Sequence, residues 1–264
     1  MNRNFRTASL IVFCLFILFN NGMKADYKQF ARSYTAYTLP ANSVEFEFWQ
    51  TGRIDKGFGY YYRWQPRFEV EYGVTDRLTT SMYFNFNEVK STGNTFSSKP
   101  FSFSTTSLEF RYRLSNPNEY FVDPALYFEF GYGGDKIVYE PKLLFSKRIN
   151  RVTTVANIIS EIERFPTKSE TESKFELTAG VAYELNANLS LGLEFRNHHN
   201  FENIYEKKLN QASFLGPTIS FFSKNLYFVM NFMFQVSGSP DTKNGLELIG
   251  HEKYEIRSIL GVSL

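Results

Sequence analysis

His198, His199 and His251 are the three imidazoles of the chain, and base catalysis or metal ligation would have to begin with them. A nucleophile needs a base in reach and an acid to orient that base. His198 and His199 stand beside Asn200, and His251 precedes the last alternating segment, with no Ser or Cys placed to complete such a set. Adjacent residues on a strand point to opposite faces, so His198 and His199 do not converge on one ion. They read as solvent-facing rim residues, and no catalytic residue, metal site or cofactor is expected. Gly57-Phe58-Gly59 is a loop tip with aromatic neighbours and lacks the pattern of a phosphate cradle.

The chemistry that does recur is charge at alternate positions. Glu45 and Glu47; Arg63, Arg67, Glu69 and Glu71; Glu109, Arg111 and Arg113; Glu129; Glu140 and Lys142; Glu194 and Arg196; and Glu255 and Arg257 form the set. Spacing of two puts each group on one face of a strand. Unpaired charge in a narrow interior is costly, so many of these are expected to pair across neighbouring strands. Two readings stay open: an ionic network that fills an interior, or the wall of a narrow charged pore for small solutes.

The elements that position these charges are strands. Tyr62, Trp64, Pro66, Phe68, Val70 and Tyr72 alternate with Arg63, Gln65, Arg67, Glu69 and Glu71, and the same period runs through most of the chain. Turn residues divide it into about twelve strands, near 43–52, 60–73, 77–88, 101–114, 120–132, 136–148, 151–164, 173–185, 188–198, 212–223, 225–236 and 252–264. Short gaps (74–76, 115–119, 149–150, 186–187, 223–224) alternate with mostly long ones (52–59, 89–100, 165–172, 199–211, 237–251). Long strands, alternating loop lengths and a charged face populated by both signs favour an all-β, antiparallel up-and-down transmembrane β-barrel over a soluble sandwich. Pro66, Pro124, Pro141 and Pro217 fall inside these strands. A closed barrel has no edge to hide a missing amide donor, so bulges or strand ends are expected there.

Composition agrees. The 264 residues include 29 Phe, 17 Tyr and 2 Trp, which excludes disorder, while a single Cys excludes a disulfide scaffold. A formal charge of +2 gives no reason to expect nucleic acid. Phe suits hydrocarbon, and Trp49, Tyr60, Tyr61 and Trp64 are expected at an outer interfacial girdle rather than around a ligand. Arg3 and Arg6, the apolar run Ala8 to Phe19 and the polar stretch to Ala25 read as a signal peptide over 1–25, with cleavage after Gly22 as the alternative. The run is shorter than the ~20 residues a spanning helix needs. Without Arg3, Arg6 and Lys24, 26 Lys and Arg stand against 27 Asp and Glu, and Cys14 is gone, so the domain 26–264 is near neutral and free of thiols. Residues 26–42 are expected to be a lead-in or to add strand residues near Tyr34 to Leu39.

Several stretches carry a resemblance. Tyr37-Thr38-Leu39-Pro40 leading into Val44 to Trp49, Arg67 to Leu78, Leu108 to Leu114, Leu191 to His198 and Phe214 to Ile219 are similar to a family of bacterial outer-membrane β-barrel proteins, porin-like and mostly uncharacterised. The resemblance implies outer-membrane lipid around the barrel and the envelope assembly machinery as partner. That class commonly ends in an aromatic residue, where Leu264 stands here in an intact alternating strand. Outer-membrane phospholipases carry His followed two places later by Ser, but here Asn200 follows His198 and Phe201 follows His199. The expectation is passive diffusion of small hydrophilic solutes; a closed structural or surface-interaction barrel is the alternative, and a lipid-modifying enzyme a weaker one.

Overall fold

The computed structural model describes residues 28–92 and 95–264, so the expected signal peptide lies outside the described residues. Among the described residues twelve strands run in chain order: β1 (Val44–Ile54), β2 (Tyr61–Thr75), β3 (Leu78–Ser91), β4 (Lys99–Arg113), β5 (Asp123–Gly133) and β6 (Lys136–Ile149). They continue as β7 (Val152–Phe165), β8 (Glu170–Asn186), β9 (Leu189–Glu202), β10 (Lys207–Ser223), β11 (Leu226–Ser239) and β12 (Tyr254–Ser263). Each pairs antiparallel with its neighbours in sequence, and β1 pairs with β12 to close the barrel. Closure satisfies every strand edge, the condition for a sheet surrounded by hydrocarbon.

Alternation divides the side chains into two environments. Phe46, Phe68, Val70, Phe84, Leu108, Phe110, Leu126 and Phe128 are exposed on the outside. So much apolar surface suits lipid and not water. The residues between them are buried inside, including Glu45, Glu47, Glu69, Glu71, Glu109 and Glu129.

Two expected long loops are short turns. β7 and β8 extend to Phe165 and Glu170, and β9 and β10 extend to Glu202 and Lys207. The pairs Glu163↔Glu172 and Lys208↔Phe201 continue the ladders through stretches whose polar residues resemble loop sequence. At this end, which we call the loop end, the longer connections are 55–60, 92–98 and 240–253; the other end carries the expected tight turns together with the 114–122 connection.

The prolines are also accommodated differently. The β2–β3 ladder skips Gln65 and Pro66, the β6–β7 ladder skips Glu140 and Pro141, and the β10–β11 ladder skips Gly216 and Pro217. In each case the register is the same on both sides of the gap. Each of these three prolines keeps a ladder on its other side, opposite Gln50, Phe128 and Leu193 respectively. A missing N–H thus opens one ladder locally instead of forming a bulge. Pro124 fits the strand-end expectation, lying next to the first residue of β5.

Candidate functional site

The lumen contains chain of its own. Residues 28–43 form neither a lead-in outside the barrel nor a strand; they cross the interior at the tight-turn end before entering β1. Lys28, Gln29, Phe30, Ala31, Ser33, Ala36 and Leu39 are buried there. Up to Leu39 the segment has no ladder for its backbone amides, and lumen side chains accept several of them, whereas Asn42 N already bonds to the Gly73 carbonyl of β2 (2.7 Å). The Glu194 carboxylate accepts the N–H groups of Ala31 (3.0 Å), Arg32 (2.9 Å) and Ser33 (2.8 Å). Farther along, Asn157 Oδ1 accepts from Tyr34 N (2.7 Å), Ser146 Oγ from Ala36 N (3.0 Å) and Thr79 Oγ1 from Leu39 N (2.8 Å). The wall is also cut to fit. A Cβ at Gly180 would lie 2.7 Å from the Phe30 ring, and one at Gly73 only 1.9 Å from the Pro40 carbonyl oxygen.

Two cations of the segment meet the buried acids. The Lys28 ammonium pairs with Glu47 and lies 3.6 Å from Glu71. Glu47 also accepts from the Trp49 indole (2.5 Å) and the Tyr227 hydroxyl, while Arg111 pairs with Glu109 (2.7 Å). Glu45, Glu47 and Glu71 present oxygens within 4.8 Å of one another, and the Lys28–Glu47 contact joins the segment to that acidic group. Burial alone would lower the Lys28 pKa, but Glu47, Glu71 and Glu69 raise it well above the ordinary lysine value. The Arg32 guanidinium binds Glu176 through Nη2 (2.8 Å) and approaches Glu255 (3.7 Å).

Above the segment is a cavity of about 240 Å³ whose floor includes Arg32 and Tyr34. Its walls carry Arg63, Arg67, Glu129, Glu140, Lys142, Arg196 and Arg257 of the expected charge set, together with Arg53, Lys136, Glu163 and Lys174 nearer the loop end. Arg196 binds Glu176 (2.7 Å) on β8 and Glu255 (3.2 Å) on β12, and Lys142 binds Glu140 (3.2 Å). Tyr34 stacks near Trp49, with ring centroids 6.4 Å apart, and meets Tyr127 at a 60° tilt, 5.4 Å away.

The expected charge set therefore falls into groups. Glu45, Glu47, Glu69, Glu71, Glu109 and Arg111 gather around Lys28; Glu194 holds the backbone of residues 31–33; and the remainder, except Arg113 and Glu255, line the cavity. Arg63 and Arg67 do not join Arg111: Arg111 Nη1 lies 3.4 Å from the Tyr37 carbonyl oxygen of the inner segment. Arg113 Nε makes no hydrogen bond among the described residues.

Trp49 and Tyr61 are buried in the interior rather than placed on a girdle, because they share the parity of Glu45 and Glu47 and of Arg63, respectively. Trp64 does face outward, against Phe101. His198 and His251 are likewise buried instead of lying at a solvent-facing rim, with ring centroids 5.1 Å apart. His198 Nδ1 accepts from Arg196 (2.6 Å), whereas His199 points outward beside Phe175. Burial, with Arg196 and Arg53 nearby, pushes the His251 imidazole down to about 3, so it is neutral. The 240–253 connection that carries it folds over the loop end. Leu248 is buried against Gly57 (φ 70°), and Lys56 Nζ donates to the Ile249 carbonyl (2.7 Å).

What sequence reasoning missed is the inner segment. Its nearest signal was Gly73 and Gly180, small residues at lumen-facing positions that leave room for something inside.

A model of a family of unknown function (DUF6662) matches residues 23–137 and 118–264. Among curated proteins, no sequence matches the chain. The fold is similar to the COG4313 outer membrane channel from Pseudomonas putida F1, at 12% identity and a TM-score of 0.65, covering 87% of this chain and 98% of that one. It is also similar to the NanC porin (11% identity, TM-score 0.53, covering 84% and 98%) and the KdgM porin (9% identity, TM-score 0.51, covering 84% and 99%).

Proposed function

The chain belongs to the family of unknown function (DUF6662), and we propose that it serves as an outer-membrane channel for passive diffusion of small hydrophilic solutes. An N-terminal signal peptide exports it, the envelope assembly machinery inserts it, the tight-turn end faces the periplasm and the loop end faces outward. The observation that carries this reading is the 240 Å³ cavity walled by acidic and basic side chains inside a barrel with an apolar exterior. A barrel whose interior served only stability would gain more from apolar filling than from buried charge. Residues 28–43 narrow the periplasmic side. Up to Leu39 they are held by side chains and have no strand ladder, so that stretch can leave the lumen without opening the barrel wall.

Conductance of the refolded protein in planar bilayers tests the proposal, with a variant lacking residues 26–39 as the comparison. Small solute-selective currents in the intact chain, enlarged in the shortened one, are expected. Silence of both at every voltage would refute it.

The inner segment also favours the second reading, a closed structural barrel, and a silent shortened variant is its signature. A lipid-modifying role through His198 has less support, because that ring is buried on the lumen side, away from the lipid-facing surface.

A further inference from the structure

Six of the nine cations around the cavity, Arg32, Arg53, Lys136, Lys142, Lys174 and Arg196, have a carboxylate within 4 Å. Arg63, Arg67 and Arg257 have no ion pair among the described residues. They lie together because the barrel closes. Trp49 on β1 is opposite Arg67 on β2, and Thr51 on β1 is opposite Arg257 on β12, with Arg63 four residues from Arg67 on the same face.

Each guanidinium is anchored through Nε to a neutral oxygen: Arg63 to Asn87 (2.6 Å), Arg67 to Asn85 (2.7 Å) and Arg257 to Thr51 (3.0 Å). The anchors orient the planar groups and leave their terminal nitrogens without a hydrogen-bond partner among the described residues. Trp49 stiffens the arrangement, with Arg67 Cζ 5.4 Å and Arg257 Cζ 5.5 Å from its ring centroid. The one acid of the cavity lining outside the ion pairs is Glu129, which accepts from the Tyr127 hydroxyl (2.8 Å). Three cations against that one carboxylate leave two positive charges.

We propose that this wall is a binding site for a small dianion, carrying either two carboxylates or a phosphate group. Oriented guanidinium forks match the oxygen geometry of both. The cavity, about 240 Å³, has room for a short dicarboxylate or phosphate. The site rests on reading the lumen as a solute path, but it is tested by binding, so a failure here differs from a failure to conduct.

Trp49 is a built-in reporter, since Trp64→Phe leaves it as the single tryptophan. The full chain carrying that change, refolded in detergent, is titrated with succinate, inorganic phosphate, neutral erythritol and cationic putrescine at fixed ionic strength. A saturable change in Trp49 emission with succinate or phosphate, and none with erythritol or putrescine, is expected. The tighter of the two dianions identifies the oxyanion preferred. Arg67→Gln and Arg257→Gln should each weaken that binding by about tenfold, as loss of one charge-assisted contact does. Unaltered heat-modifiable migration confirms their folding. If either variant fails to fold, quenching in the parent decides: iodide must exceed caesium at Trp49. No saturable response to either dianion, an equal response to erythritol, unchanged affinity in both folded variants, or caesium quenching as strong as iodide would overturn the site.

Discussion

Replacing Glu194 by Gln should release the inner segment while leaving the barrel intact. One carboxylate oxygen accepts from Ala31 N and from Asn231 Nδ2 (both near 3 Å), and the other accepts from Arg32 N and Ser33 N. An amide has one acceptor oxygen, so in either orientation its NH₂ group faces two donors. Hydrogen bonds to a charged group are worth about 1.5–3 kcal/mol each. When the NH₂ faces Ala31 N and the wall residue Asn231, only one bond to the segment is lost, so the attachment weakens by at least about 1.5 kcal/mol, close to a tenfold increase in the open population. Hydrogen exchange in detergent micelles reads this directly, because amides exchange from locally opened states. Protection of Ala31, Arg32 and Ser33 should fall by at least about tenfold. Amides in the β5–β6 ladder, remote from Glu194, should keep theirs. Unchanged protection at 31–33 would mean that Glu194 does not hold the segment, and the argument for a displaceable plug would fail with it.

Other perturbations act on the same assembly. Lys28→Met removes the ammonium from between Glu47 and Glu71, and the uncompensated buried charge should cost about 3–5 kcal/mol. A lower temperature of heat-modifiable migration is expected, with partial recovery on adding Glu47→Gln. Gly180→Val places atoms within 2.7 Å of the Phe30 ring, so limited proteolysis should cut within 28–42 while the sheet signal in circular dichroism stays unchanged. His251 has an ordinary value of 6.5 lowered to about 3, with Arg196, Arg53, Lys56, Glu176 and Glu247 around it. Between those values the unfolded chain binds the proton and the folded one does not, so the histidine destabilises the loop end as pH falls from 6.5 toward 3. Exchange protection at Leu248 should drop over that window in the native protein and less in His251→Gln; identical pH profiles would refute the assignment.

The barrel was legible in the sequence because its signal is local. Period-two alternation, as in Tyr62 to Tyr72, states which residues share a face wherever the chain goes. About twelve strands are expected, and twelve form among the described residues, within five residues of the expected bounds. Parity also put Glu45, Glu69, Arg111 and Arg257 on one side and Phe68, Phe110 and Phe128 on the other. Where the expectations failed, polarity was read as exposure. His198 and the 199–211 stretch are polar yet belong to lumen walls or continuing ladders, because in this fold the interior is the polar side. Trp49 has the residue type of a girdle, but its parity with Glu45 and Glu47 places it inside.

The inner segment could not be read from pattern. Residues 28–43 have no period of their own, since their amides bond to Glu194, Asn157, Ser146 and Thr79, which are scattered through four strands and converge only when the sheet closes. The three unpaired guanidiniums likewise depend on closure: Arg257 lies beside Arg67 across Trp49 because β1 joins β12. Alternation along a strand is a one-dimensional property and survives in the sequence. Which charges face one another, and what fills the space between them, follow from the circumference and register of the closed sheet, which no single strand contains.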